Sequence, residues 1–280
     1  MEGEKMSKKR RIVSIVVFAV IFAALLVGIV LTSGASPASE EPIGEVMKDA
    51  VLHETGKINL LGIRINPGLV SAFSVSGIMI LFALIIRIFV IPKFKLKPGR
   101  FQFLLEKAVG LFDGLAKENS PHKSHFIGGY IFSAGAYIFF STLFELFGFQ
   151  AVTVTGRPIS LPAPLSDING AIAMGVFSYG VILIGGLINN GFKGMFNALK
   201  DFSLPISMSF RLFGALLSGA LVTELVYYYS LTSYVIPVLV GVLFTLLHAV
   251  IQAYVLTMLV SIFYGESSEP SRKKKRGKKI

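Results

Sequence analysis

The chain has 280 residues, 53% of them hydrophobic and 15% charged, with mean hydropathy +0.71. A soluble domain carries about 25% charged residues, so this protein is not surrounded by water on all sides. Its 27 Lys and Arg against 16 acids give net charge +11, an excess to be tested against membrane orientation before nucleic acid. With no Cys, disulfides, thiolate metal sites and cysteine nucleophiles are excluded. The four His (53, 122, 125, 248) lack metal-ligand spacing, so no metal site and no cofactor is expected.

A bilayer core needs about 20 apolar residues per helix. Six stretches qualify, at 12–33, 68–91, 126–149, 169–192, 203–229 and 234–264. The last two exceed a perpendicular span, so tilted helices are expected. The first follows MEGEKMSKKRR and precedes SGASPAS, which fits either a retained anchor or a cleaved signal sequence. The expected organisation is an anchor or signal at 1–33, an extracytoplasmic segment at 34–67, a membrane domain at 68–264 and a basic tail at 265–280. The fold class is an all-α integral membrane protein. Segment 101–117, with Phe101, Leu104, Leu105, Ala108, Leu111, Phe112 and Leu115 at helical spacing, is expected to be an amphipathic helix at the membrane interface.

Segments 1–11, 92–125, 193–202 and 266–280 hold 21 of the 27 basic residues. Alternation over six spans puts all four on one side, which the positive-inside rule makes cytoplasmic. Both termini then face the cytoplasm, and the excess of positive charge needs no nucleic acid. The tail SRKKKRGKKI serves as an orientation anchor near anionic lipid.

A charge inside a span is costly, so each is a functional candidate. Arg87 lies five residues before Pro92, where its stem can snorkel to the headgroups. Glu145, near the outer end of the third span, is either a solvated end residue or a pathway group. Arg211 lies eight residues into the fifth span, flanked by Phe210, Leu212 and Phe213. If the last two spans form a hairpin turning near Leu231–Thr232, residues at equal depth have numbers summing to about 463, which levels Arg211 with Gln252. Arg keeps its charge and offers five donors. No acid in these spans lies at its level, since Glu224 is about 20 Å further along the helix and about 220° round it. The counter-ion is therefore expected from another subunit. His248, one turn outward of Gln252, and Glu224 could line a wet path, though His248 could equally bond a neighbouring helix. Gly214, Ala215, Ser218, Gly219 and Ala220 leave one side of the Arg helix low in bulk, a face for docking a helix.

At these residues the chain resembles the subunit a family of F-type ATP synthases. PISMSFRLFGALLSG (205–219) is similar to the family's Ser-Leu-x-x-Arg-Leu-Phe-Gly helix, QAYVLTMLVSIFY (252–264) to its closing Gln-Ala-aromatic segment, and PLSDIN (164–169) to its Pro-Thr-Ser-Asp-Leu-Asn motif. With the segment near Glu106, the resemblance covers about residues 70–264. The chain departs from the family at Ala215 (commonly Asn), Ala220 (often Glu or His), Thr245 (often titratable) and Glu145-Leu146 (usually Asn-Leu). Glu224 and His248 are expected to take over the displaced roles.

The resemblance implies a stator in a cell membrane, a bacterial plasma membrane, that couples proton or sodium movement to rotation of a ring of c subunits. Its further partners would be peripheral-stalk b subunits, the rest of the ATP synthase and the bilayer. It implies Arg211 as the essential Arg with Gln252 beside it. Outer access would involve Glu224, His248, Glu145, Asp167 and Asn169, and inner access Asn189, Asn190 and Ser207. A rival is a secondary transporter whose Arg211 binds an anionic substrate, but inverted repeats and broken helices are not evident. An intramembrane enzyme is disfavoured, since HExxH is absent and Leu216-Leu217 before Ser218-Gly219 does not meet GxSG.

Overall fold

A computed structural model describes residues 58–60, 63–121, 124–152, 158–228 and 236–269, together with Val16, Val20, Ala23, Val27, Pro42 and Gly44. Val16, Val20, Ala23 and Val27 are helical; otherwise the expected span 12–33 and the tail beyond residue 269 lie outside the described residues. Among the described residues, five helices are long and apolar enough to cross a membrane: Pro67–Lys93, Ser124–Phe147, Ile168–Asn190, Ser203–Thr223 and Val240–Ser268. The protein is an all-α membrane protein, with strands among the described residues confined to two short antiparallel ribbons. In these, β1 (Ile58–Leu60) pairs β2 (Ile63–Ile65), and β3 (Gln150–Val152) pairs β4 (Pro158–Ser160).

Helix α1 (Pro67–Ile85) starts on a local signal. Asn66 caps it by accepting from the Gly68 N–H at 2.9 Å, and Pro67 sits at the first helical position, where its missing N–H costs nothing. It widens into a π turn (Ile86–Val90) and tightens into a 3-10 turn (Ile91–Lys93). Pro92 explains the change, because it cannot donate to residue 88 and its ring crowds that carbonyl.

Helix α2 (Arg100–Asn119) is the expected amphipathic segment, and α3 is Ser124–Leu143. Only the C-terminal half of α2 is docked. Phe112 packs edge-on against Phe132 at 5.7 Å between ring centres, and a side chain at Gly135 would meet the Phe112 ring. The N-terminal half leaves Phe101, Phe103, Leu104 and Val109 exposed.

Asp167 caps α4 (Ile168–Asn190), accepting from the Asn169 N–H at 2.8 Å. Gly191, at φ 64°, turns the chain into α5 (Phe192–Leu199), a helix lying where the basic segment 193–202 reads only as a connection. Eight residues cannot hold a helix alone. Here α5 folds back on α4: a Cβ on Gly186 would lie 2.8 Å from the Gly194 carbonyl oxygen, and Tyr179 donates to the Ala198 carbonyl at 3.1 Å. The signal was the pair of glycines, which permits backbone contact.

The last two helices are α6 (Ser203–Tyr228) and α7 (Ile236–Ser268). At 1.5 Å per residue they run about 39 and 50 Å, against a hydrocarbon core of about 30 Å. The described chain divides into two compact units, one of Met1–Leu52 with Ala220–Leu243, the other of His53–Gly219 with Phe244–Ile280. The second holds the main core, where Ile127, Ile131, Ile138, Leu165, Ile182, Met208, Leu212 and Val260 are almost fully buried. In lipid no hydrophobic force joins helices, so contact rests on close packing and hydrogen bonds. Accordingly, the Tyr264 ring lies over Gly185, Gly175 admits Pro205 and Ser209, and Gly265 admits the Asn119 carbonyl.

Candidate functional site

The part of α6 that belongs to the larger unit has two contrasting sides. Pro205, Met208, Ser209, Leu212 and Leu216 are buried. Ser203, Ser207, Arg211, Gly214 and Ser218, spaced four, four, three and four residues apart, are exposed. That spacing places them on one side of a 3.6-residue helix. A Cβ on Gly214 would meet nothing within 4 Å. The strip of small residues is therefore left open by the packing of the described residues, and one charge stands in it.

The Arg211 side chain makes no hydrogen bond or ion pair among the described residues. The ion pair found among them is Lys117–Asp113 at 2.6 Å, on exposed α2. An Arg at the centre of a span costs about 2.5–3.5 kcal/mol even on the milder insertion scale. Arg211 lies eight residues, about 12 Å by helix rise, from the start of α6. It is too deep for easy rescue by the nearer interface, and no acid among the described residues pairs with it to offset the cost.

Gln252, on α7, is buried. It is 7% exposed, and its Oε1 has no hydrogen-bond partner among the described residues. An unsatisfied buried acceptor costs about 1–3 kcal/mol, so this carbonyl is a ready acceptor. His248 is half-buried one turn away, its ring 5.8 Å from that of Phe244. It seats against Gly219: a Cβ there would lie 4.0 Å from His248 Nδ1. Their numbers sum to 467, four more than the hairpin estimate of 463. Side chains lean toward the helix N-terminus, so the true register falls between the two. Arg211 and Gln252 then lie within about one turn, 6 Å, of one level. The pairing of Gly219 with His248, a small residue with a titratable one, is not revealed by spacing alone.

The remaining candidates separate into two ends of the bundle. At one end the Asp167 carboxylate caps α4 and lies beside Gly68, where a Cβ would be 3.0 Å from Oδ2. Asn169 is exposed in the same turn, and Glu145, in the 3-10 turn Phe144–Phe147, is half-buried and engaged by a neighbour. At the other end the amides of Asn189 and Asn190 are tied to backbone. Asn189 donates to the Gly185 carbonyl at 2.8 Å. Asn190 donates to Ser267 and Glu269 carbonyls at 3.1 and 2.7 Å, fastening α4 to the end of α7. No hydrogen bond links either to Ser207, which stands on the open strip one turn from Arg211. Glu224 lies on α6 within Ala220–Leu243, and its side chain is outside the described residues. Among the described residues no cluster of three His, Asp or Glu could hold a metal.

Known proteins resemble this chain over most of these elements. A family model described as "ATP synthase A chain" matches residues 72–265, which run from within α1 through nearly all of α7. ATP synthase subunit a of Haemophilus ducreyi is 27% identical over 200 residues, covering 59% of this chain and 75% of the relative. ATP synthase subunit a of Histophilus somni strain 2336 is 27% identical over 192 residues, covering 59% and 72%. The matched region holds every element of the site and spans more than half of the sequence: the chain belongs to the ATP synthase A chain family.

Proposed function

We propose that this chain is the stator subunit that couples ion translocation to rotation of a ring of c subunits in an F-type ATP synthase. The observation that carries the reading is Arg211, exposed and unpaired among the described residues, in a strip of small residues within an apolar span. A ring helix packs into that strip, and its carboxylate is the counter-ion that Arg211 lacks. A nearby cation favours the ionised carboxylate, whereas hydrocarbon favours the neutral form. The ring carboxyl therefore releases its proton or sodium ion on approaching Arg211, pairs with it briefly, and takes up another ion beyond it. The fixed charge stops a neutral carboxyl from passing and short-circuiting the two access paths. Gln252, with a free acceptor near that level, orients the guanidinium when no carboxylate is present.

Outer access runs past Asp167, Asn169, Glu145, His248 and Glu224, and inner access past Ser207, Asn189 and Asn190. Residues 68–264 are the translocating domain and 265–280 a cytoplasmic tail in a bacterial plasma membrane, with peripheral-stalk b subunits holding the stator. Arg211→Ala should abolish ATP synthesis driven by an ion gradient while allowing passive ion leak through the assembled complex. Coupled synthesis by this variant would contradict the reading.

A further inference from the structure

Between the last turn of α1 and the middle of α2, residues 86–112 carry six cations, Arg87, Lys93, Lys95, Lys97, Arg100 and Lys107, against the single carboxylate Glu106. Lys107 lies over the Phe103 ring at 5.9 Å from its centre. The other five are exposed, and α2 has no acid in its first turn.

The cations do not hang on a loose loop. Gln102 closes a two-bond clamp on the backbone of residue 95: its Oε1 accepts from the Lys95 N–H at 3.1 Å, and its Nε2 donates to the Lys95 carbonyl at 2.9 Å. The same Nε2 donates to Glu106 Oε1 at 2.7 Å, which engages the local carboxylate and turns it to the clamp. Lys95, Lys97 and Arg100 thus sit in one closed loop.

Depth and apolar content narrow the occupant. The segment leaves a membrane span that ends at Lys93, so connectivity holds the loop at headgroup level. Leu96 is fully exposed, and Ile88, Phe89, Phe101, Phe103 and Leu104 are exposed on either side. Apolar side chains interleaved with unopposed cations at that depth suit acyl chains below and phosphates above.

We infer that the clamped loop 93–100, with Arg87, is a binding surface for anionic phospholipid, recognising the phosphodiester headgroups of the surrounding leaflet. It is separate from Arg211 and stands whether or not the chain works against a ring. Each cation near an anionic surface strengthens binding about five-fold, so removing four should cost well over a hundred-fold.

The test uses the full chain in nanodiscs of equal phosphatidylglycerol and phosphatidylcholine, with retained lipids identified by native mass spectrometry. The wild-type chain should keep phosphatidylglycerol over phosphatidylcholine, inorganic phosphate should not displace it, and K93Q/K95Q/K97Q/R100Q should lose the preference. Arg at the three lysines should retain it, which separates charge from folding. Q102A should weaken it by loosening the loop. Loss of the preference in R272Q/K273Q/K274Q/K275Q, with the 93–100 variant unchanged, would overturn the inference and assign the lipid to the tail. So would displacement by phosphate alone, or an unchanged preference accompanied by loss of another subunit from the purified complex.

Discussion

Glycine and serine serve opposite ends in two parts of this molecule. Where α4 meets α5, α6 and α7, Gly175, Gly185 and Gly186 are filled by neighbouring groups, as Gly265 of α7 is by the end of α2, and Ser267 donates to the Ile182 carbonyl at 3.2 Å. Along the open side of α6, Ser207 and Ser218 are exposed, a Cβ on Gly214 would meet nothing, and Arg211 stands among them without a partner among the described residues. Small residues let backbones approach in both places. In the first the approaching element belongs to the same chain. In the second it must come from elsewhere, and the difference separates a scaffold contact from a working face.

Substitutions should reveal that contrast, most strongly on the filled side. Gly186→Val would drive a branched side chain into the Gly194 backbone, which cannot rotate away. Overpacking of that kind costs about 3 kcal/mol, and denaturant unfolding in detergent should show a loss of that order. Asn190→Ala removes two bonds between α4 and the end of α7. At about 0.6 kcal/mol per membrane hydrogen bond the loss should be near 1 kcal/mol. Ion conduction that falls no further than stability would make Asn190 a fastener, and a larger fall would support its place in inner access. On the open side Gly214→Ala should leave the fold intact or firmer by up to about 1 kcal/mol, the helix preference of Ala over Gly. Gly214→Leu should likewise be tolerated by the isolated chain yet slow gradient-driven synthesis. Equal destabilisation of Gly186 and Gly214 variants in the isolated chain would erase the distinction.

Much of this architecture is legible in the residues. The five described spans fall within a few residues of the apolar stretches, because hydropathy over 20 residues leaves the backbone little choice in lipid. Asp167 and Asn66 announce helix starts through their capping oxygens. Arg211 is conspicuous because so little else in the last two spans is charged. What the sequence hides is tertiary. Helix α5 is too short to show a period, and its stability comes from the Gly186–Gly194 contact. Half of α2 is docked through Phe112 and Ala116 although its whole apolar stripe reads as interfacial. The hydrogen-bond duties of Asn189 and Asn190 depend on where α7 ends, which no local pattern reports. Sidedness along α6 is intermediate: the small residues can be counted in the sequence, but only packing shows which of them are already covered.

The chain has no cysteine of its own, so single cysteines can read that sidedness in the assembled complex. Cysteines placed one at a time at Ser207, Gly214 and Ser218, and as controls at Met208, Leu212 and Leu216, should be tested for disulfide formation with cysteines on the outward helix of the ring subunit. The account predicts cross-links at 207, 214 and 218 and none at 208, 212 and 216. Cross-links confined to the second set, or absent from both in a complex that still synthesises ATP, would contradict the assignment of the Arg211 face to the ring.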